Sequence, residues 1–457
     1  MHAEIPTRLE GLLGFSTECP CGKTHSVELR SVSIRPGALD DVVGVVHGLG
    51  AASAVALVAD RITQAVAGAS VAKRLAAAGH RVEVHLLSDG AGQRPHADEA
   101  SVELLLSSLG AADVVVAVGS GTVNDVAKLS SYRRGIPYVT VATAPSMNGY
   151  TSAIAAIMAR GVKRTVACHQ PVAVVADLDI LCRAPLPMIL SGLGDLESKP
   201  TATADYRLGG QVRADYYCAA PEAVVLEAEA RVAQSASALG RRDPAAIAEL
   251  TEALLLSGIS MKLAGSSSPA SGAEHLISHY WDMTASEEGR LEGLHGAQVG
   301  VATIVSSALF ERLQEISPSQ LDPARLLDSL PSRADLERLL EKRHGPRAEE
   351  VSREFFSKHK DREALCAELE WIVNHWDSLW AELRPVLRPA SKVRAILDSA
   401  GAPVTVQAID LTPRHLRGAF LCAREIRGRY TILDFADELG LLEPLMEEIL
   451  TASGCLG

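Results

Sequence analysis

Four side chains of this 457-residue chain have the types and spacing to hold a divalent metal. His275 and His279 lie four residues apart in Ser271-Gly272-Ala273-Glu274-His275-Leu276-Ile277-Ser278-His279, so on a helix they share one face. His295 follows in the glycine-flanked Leu294-His295-Gly296, and Asp195 stands in Gly194-Asp195. One carboxylate and two imidazoles make a three-ligand set that keeps a coordination position open for substrate, as catalytic zinc requires. Glu274 precedes its histidine, so the order is not H-E-x-x-H and a zincin protease is disfavoured. On spacing alone, each histidine reads equally as a structural or merely exposed residue.

A second candidate is Gly119-Ser120-Gly121-Thr122-Val123-Asn124-Asp125, which follows an apolar run and opens a helical pattern. Glycines let the backbone turn tightly and approach a phosphate closely. The helix start then offers N–H groups and a positive dipole end to the anion. The spacing is neither G-x-G-x-x-G nor a P-loop, so a plain strand-to-helix turn is the other reading. Asp60 ends an earlier apolar run, placed either to accept a ribose hydroxyl bond or to cap the helix from Arg61 onward.

The third is Cys19-Pro20-Cys21-Gly22-Lys23-Thr24-His25. Two thiols and an imidazole suit a metal, but a fourth ligand is missing and CxC is not CxxC, so an N-terminal turn is expected over a zinc knuckle. The remaining cysteines, at 168, 182, 218, 366, 422 and 455, are dispersed, as expected of reduced thiols in a cytoplasmic protein.

These residues need a scaffold, and from about residue 53 the pattern alternates regularly. Strands are expected at Ala54 to Ala59, Arg81 to Leu87, Val114 to Val118, Pro137 to Ala142 and Val172 to Asp177. Helices are expected in the alanine-rich stretch ending at Gly79, at Ala97 to Leu109 and at Thr122 to Arg134. That alternation implies βαβ units and a parallel sheet covered on both faces. After Ala184-Pro185-Leu186-Pro187 strand-like runs nearly vanish. Helical periodicity takes over at Ala245 to Met261, Val299 to Leu313, Arg333 to Arg343, Ala364 to Leu387 and Pro413 to Ile426. The expected organisation is an α/β domain over 1–184 and an all-helical domain over 185–457. Residues 315–365 are the most charged and read as an exposed, solvated helical region.

Composition narrows the partners. The chain is 47% apolar and 22% charged, enough to bury a large interior, and its formal charge of −12 gives it no electrostatic reason to seek nucleic acid or an anionic membrane. No stretch of about 18 apolar residues is evident. Met1 to Gly14 carries Glu4 and Glu10 and lacks a signal peptide's apolar segment.

Several ordered motifs resemble the sn-glycerol-1-phosphate dehydrogenase family, within the superfamily of iron-containing alcohol dehydrogenases and dehydroquinate synthases. They are the glycine loop, Gly135-Ile136-Pro137-Tyr138, Thr143-Ala144-Pro145-Ser146-Met147-Asn148-Gly149-Tyr150-Thr151-Ser152, Gly192-Leu193-Gly194-Asp195, the two histidine segments, and Ala423-Arg424-Glu425-Ile426-Arg427-Gly428-Arg429-Tyr430-Thr431-Ile432-Leu433-Asp434. The resemblance implies a dehydroquinate synthase-like fold, a Rossmann-like parallel-sheet domain followed by a helical one. It implies NAD(P) contacts at Asp60, Gly119, Gly121, Thr122, Val123, Asn124, Asp125, Thr143, Ala144, Pro145, Ser146 and Ser152. It implies one divalent metal on Asp195, His275 and His295, usually zinc, with iron or nickel in relatives. Asp195 and His279 would be catalytic; Asn148, Asp195, His279 and Lys163 would meet the substrate, with Arg164 and Lys199 as further phosphate clamps.

The implied reaction interconverts dihydroxyacetone phosphate and sn-glycerol 1-phosphate, or a closely related phosphorylated polyol. A homo-oligomer is expected. Asn148 stands where many members carry the aspartate of APSxDG, a change that bears on substrate choice more than on fold. Leu196-Glu197-Ser198-Lys199 also departs from the expected forms. Two alternatives stay open: a dehydroquinate synthase-like lyase or cyclase that retains NAD, and a non-catalytic nucleotide-binding relative.

Overall fold

The computed structural model describes residues 5–50, 52–88, 95–328 and 330–457. The part of the N-terminal reading that rests on residues 1–4 lies outside them. A small antiparallel hairpin, β1 (Ser16–Glu18) and β2 (Thr24–Ser26), precedes β3 (Ser31–Arg35). Then come β4 (Ala54–Asp60), β5 (Arg81–Leu87), β6 (Val114–Gly119) and β7 (Tyr138–Ala142). A two-stranded sheet of β8 (Ile154–Ala159) and β9 (Val162–Ala167) is followed by β10 (Ala173–Asp177). Six strands form one sheet in the order β3-β10-β7-β6-β4-β5, every pairing parallel. The five strands expected from the apolar runs are all present. Strand β3 was not anticipated, because Ser31 and Ser33 break its apolar run.

Strand alternation decides which helix covers which face. Val55, Leu57 and Ala59 of β4, with Val114, Val116 and Val118 of β6, pack under α1 (Asp41–His47) and α2 (Ala69–Ala77) through Val42, Val46, Val71 and Leu75. Ala56 and Val58, with Val115 and Ala117, face α3 (Glu99–Ser108) and α4 (Gly121–Arg134) through Val102, Leu105, Val123 and Val126. A sheet buried on both sides needs such continuous apolar strands. The chain leaves β4 toward β5 and returns to β6 on the other side of β4. That reversal is a topological switch point, where the carboxyl ends of neighbouring strands splay to form a ligand crevice. Asp60 ends β4 and Gly119 ends β6, so both stand at its rim.

Contacts divide the chain into two compact units along a line other than residue 184. One comprises residues 1–159, 163–196 and 218–267; the other comprises 160–162, 197–217 and 268–457. The change in character near 185 is a change of secondary structure: after β10 no strand occurs among the described residues. It fails as a unit boundary because later helices belong with the sheet. Beyond α5 (Leu186–Glu197) and α6 (Lys199–Val212) run α7 (Ala219–Gly240) and α8 (Pro244–Ala264). At Gly258 of α8 an added Cβ would meet Thr151 Oγ1 at 2.2 Å and the Asn148 carbonyl at 2.7 Å, so the helix backbone lies directly on that loop. By length and composition α8 is also apolar enough to cross a membrane, which corrects the expectation that no such segment exists. However, 72% of that stretch is buried, as in the core helix of a packed unit.

The second unit is helical, led by α9 (Ala273–Ala285) and α10 (His295–Gln314). The charged 315–365 region is more than a solvated face. Leu336, Leu340, Val351 and Phe355 are buried, and His344 Nε2 lies 2.6 Å from Glu425 Oε2. The helical pattern over 364–387 breaks at His375 into Arg362–Asn374 and Trp376–Leu383.

Candidate active site

The glycine loop follows β6 directly and opens α4. Gly119 is required by packing, since a Cβ there would lie 2.5 Å from Val123 Cβ. Gly121 is different: its added Cβ would meet only Met147 Cγ, at 3.7 Å, an ordinary contact. The space above Gly121 is thus left open by the protein. No side-chain cap at Ser120 covers the first turn of α4, whose leading N–H groups have no intrahelical acceptor. This is a site where a phosphate can approach backbone. Val123 is buried in the core. Asn124 accepts from Thr140 Oγ1 (3.1 Å), and Asp125 accepts from Ala156 N (3.2 Å). The side chains of these three residues therefore hold α4 in place, leaving backbone and Thr122 to face a ligand. Asp60 caps its helix as one reading expected: Oδ1 accepts from Thr63 N at 2.7 Å, and Asp60 N donates to Thr63 Oγ1 at 3.0 Å.

The Thr143–Ser146 loop is tied to the same end of the sheet. Thr143 N donates to Gly119 O (3.1 Å), Tyr150 Oη donates to Ala144 O (2.7 Å), and Ser191 Oγ donates to Ser146 O (3.1 Å). Gly192 lets the Pro145 carbonyl come within 1.9 Å of where a Cβ would stand, so no other residue fits there. Ser152 is buried and donates to the carbonyls of Gly149 and Ile154.

Sequence reading missed Lys128, which organises this loop. Fully buried, its ammonium donates to Gly149 O (2.5 Å), Ile154 O (2.9 Å) and Ser152 Oγ (3.1 Å), and lies 3.8 Å from Asp125. Burial pulls the Lys128 ammonium below its ordinary value, opposed by Asp125. Burial likewise raises Asp125, opposed by Lys128. A lysine seven residues into a helix reads as a surface residue, and nothing local marks it.

Asn148 and Asp195 meet in this unit. The Asn148 backbone N donates to Asp195 Oδ2 at 3.0 Å, while its side-chain Nδ2 donates to Ser257 Oγ at 3.2 Å. Asp195, on α5, is fully buried. Lys163, half-buried on β9, exerts a favourable field on Asp125.

In the helical unit the three histidines come together. Ring centroids of His275 and His295 are 5.3 Å apart, of His279 and His295 5.6 Å, and of His275 and His279 6.3 Å. Two have a defined tautomer. Nδ1 of His275 lies 2.9 Å from Glu274 Oε1, which also accepts from Gly272 N at 2.7 Å. Burial opposes the Glu274 charge, but these hydrogen bonds outweigh it and hold the carboxyl below its usual range. A carboxylate can only accept, so Nδ1 of His275 carries the proton and Nε2 presents a lone pair. At His295, Nδ1 lies 3.2 Å from Ser278 Oγ, whose hydroxyl proton goes to Gln298 Oε1 at 2.8 Å. Ser278 therefore accepts from His295, leaving a second Nε2 lone pair. This donor set fits a divalent metal.

The histidine segment is braced by parts of the sequence with no assigned role. Asp205 accepts from Ala273 N and Ile432 N, both at 2.7 Å, and Arg429 donates to the Ser271 carbonyl. The C-terminal motif thus supports the start of α9. Lys199 does not present a free clamp: it is fully buried, donating to Ala270 O (2.9 Å) and Ser198 Oγ (3.0 Å). The unusual Glu197 pairs with Arg388 at 2.6 Å.

Residues 33–185 match the family described as iron-containing alcohol dehydrogenase. The chain is 35% identical over 344 residues to glycerol-1-phosphate dehydrogenase [NAD(P)+] of Halalkalibacterium halodurans, covering 71% of this chain and 86% of that protein. It is 29% identical over 429 residues to the enzyme of the same name from Bacillus licheniformis, covering 94% of each. Among solved structures, glycerol dehydrogenase from Schizosaccharomyces pombe superposes with a TM-score of 0.59 over 93% of this chain and 92% of that one, at 16% identity, a likeness of fold.

Proposed function

The chain belongs to the glycerol-1-phosphate dehydrogenase family, and from that premise we propose that it interconverts dihydroxyacetone phosphate and sn-glycerol 1-phosphate with NAD(P)H. The likeness to NAD(P)-dependent dehydrogenases along most of the chain carries this reading. The lyase and non-catalytic alternatives lose ground, because the relatives bear the dehydrogenase name.

Asp195, His275 and His295 would hold one divalent cation, zinc in our reading. The two oriented imidazoles support it. The cation would supply Lewis acidity toward the substrate oxygens, and the nicotinamide would supply or accept hydride. The chain's own residues do the rest. The first turn of α4 receives the pyrophosphate over Gly121, and Asp60 stands at the neighbouring strand end for a ribose hydroxyl. His279 orients a substrate hydroxyl and exchanges its proton. Asn148 meets the substrate without adding negative charge. Lys163 and Arg164 clamp the phosphate, whereas Lys199 is set aside by its buried hydrogen bonds. The net charge of −12 favours a small-molecule partner over nucleic acid. A cytoplasmic homo-oligomer completes the proposal.

The test is oxidation of NADH and of NADPH by zinc-loaded protein with dihydroxyacetone phosphate, followed by chiral analysis of the product. Formation of sn-glycerol 1-phosphate is expected. Inertness toward this substrate with zinc, iron and nickel alike would overturn the assignment.

A further inference from the structure

We propose that Cys19, Cys21, His25 and Cys218 form a closed structural zinc site, separate from the dehydrogenase centre. The fourth ligand that the N-terminal segment lacks comes from 193 residues further along the chain, at the residue preceding α7. Cys19 and Cys21 lie in the turn of the β1–β2 hairpin, and His25 lies on β2. The turn is compact: Gly22 N donates to Cys19 O and Cys19 N to Lys23 O, both at 3.0 Å, with Gly22 at φ +87.

The ligand atoms already stand at tetrahedral separations. Zinc bonds of about 2.3 Å to sulfur and 2.0 Å to nitrogen place tetrahedral ligands about 3.8 Å apart for S–S and about 3.5 Å apart for S–N. Here Cys19 Sγ and Cys218 Sγ are 3.9 Å apart, too far for a disulfide. His25 Nε2 lies 3.4 Å from Cys21 Sγ and 3.5 Å from Cys218 Sγ. All four ligand atoms fall within 4.8 Å of one another.

The imidazole is also set for a metal. Its Nδ1 lies 2.7 Å from the Leu263 carbonyl, which can only accept, so Nδ1 carries the proton and Nε2 presents its lone pair to the sulfurs. Three sulfurs and this nitrogen converge on one point, and a cation satisfies all four ligands together. Three sulfurs and one imidazole are a zinc set, and no position is left open for substrate, which marks the site as structural. Leu263 and Ala264 end α8, and their carbonyls take His25 and, at 3.0 Å, Lys23 Nζ. The knuckle would thereby fasten the hairpin to the start of α7 and the end of α8.

Cobalt reads this site apart from the dehydrogenase metal, because only thiolates give a strong sulfur-to-cobalt charge-transfer absorption in the near ultraviolet. Full-length protein purified under reducing conditions, stripped with chelator and titrated with Co²⁺ is expected to develop that band. His275→Ala should retain both the band and one tightly held zinc per chain, whatever the fate of the dehydrogenase proposal. Cys21→Ser, at the partly exposed ligand, should weaken the band and lower the melting temperature. Wild-type protein that binds Co²⁺ without the thiolate band overturns the proposal, as does a His275→Ala protein that holds no zinc. A Cys19–Cys218 disulfide found by thiol counting in the reduced preparation overturns it as well.

Discussion

Nδ1 of His275 sits 2.9 Å from the Glu274 carboxylate, so the residue beside the histidine decides which ring nitrogen would face the proposed metal. Such partners orient a ligand and raise its basicity, and their loss typically costs 10- to 100-fold in metal affinity. Glu274→Gln preserves volume but removes the charge. It should weaken zinc binding at the proposed His275 site by roughly that factor while His275→Ala abolishes binding there and leaves the zinc proposed at the cysteine site, as measured by competition with a calibrated chelator. Equal affinity in Glu274→Gln and wild type would show that the carboxylate only braces the backbone at Gly272.

The two glycines of the loop should separate stability from cofactor binding. Gly119→Ala forces a Cβ against Val123 at 2.5 Å and should destabilise by about 1–3 kcal/mol, seen as a lower melting temperature. Gly121→Ala meets only Met147 at 3.7 Å, so the fold should hold while NAD(H) affinity collapses because the methyl fills the approach to the first turn. An unchanged NADH titration for Gly121→Ala would reduce the loop to a turn.

What could be read in advance followed from local pattern. The five strands at 54–59, 81–87, 114–118, 137–142 and 172–177 were legible because a doubly covered parallel sheet demands continuous apolar runs. His275 and His279 were legible because four-residue spacing fixes a shared helix face. Lys128 was not, because its meaning comes from carbonyls 21 and 26 residues away. Nor was the partner of Cys19 and Cys21, since Cys218 looks like any dispersed cysteine until α7 brings it to the hairpin. The unit boundary escaped for the same reason: α7 and α8 are helical in pattern, and only contacts distant in sequence, such as Gly258 against Thr151 and Cys218 against His25, show which elements they serve.

A buried carboxylate should make stability fall as pH rises from mildly acidic solution to about 8. Burial, reinforced by Glu368, pushes Glu438 up to about 8 despite Arg213. Tyr430 Oη donates to it at 2.8 Å. A folded-state value above the unfolded one means the folded chain holds this proton more tightly. The contribution is complete below the ordinary 4.5 and is lost as pH rises through about 8. Urea unfolding should show a loss with pH of up to about 1.4 kcal/mol per unit across that window from this group. Glu438→Gln should flatten the slope; an unchanged slope would mean the Arg213 pairing keeps Glu438 ionised.

Substrate choice should turn on Asn148. Its Nδ2 is committed to Ser257 Oγ at 3.2 Å and its backbone N to Asp195 Oδ2 at 3.0 Å, so the residue is anchored at two points and an isosteric carboxylate can occupy the same position. With Asn148→Asp the Ser257 hydroxyl can turn to donate to the new carboxylate, which keeps the anchor. What changes is charge: in the proposed site a carboxylate would stand beside the bound substrate. A unit charge about 10 Å from a phosphate costs about 1–2 kcal/mol at an effective dielectric of about 20, or roughly tenfold in affinity. The Asn148→Asp protein should therefore raise KM for dihydroxyacetone phosphate about tenfold while KM for unphosphorylated dihydroxyacetone moves much less. Added salt should narrow the difference, because screening weakens the repulsion. The measurement is steady-state turnover of both proteins on both ketones at low and high salt. A selectivity ratio that stays constant would show that Asn148 does not sense the phosphate, and its amide would then matter only for holding Ser257 and Asp195 in place.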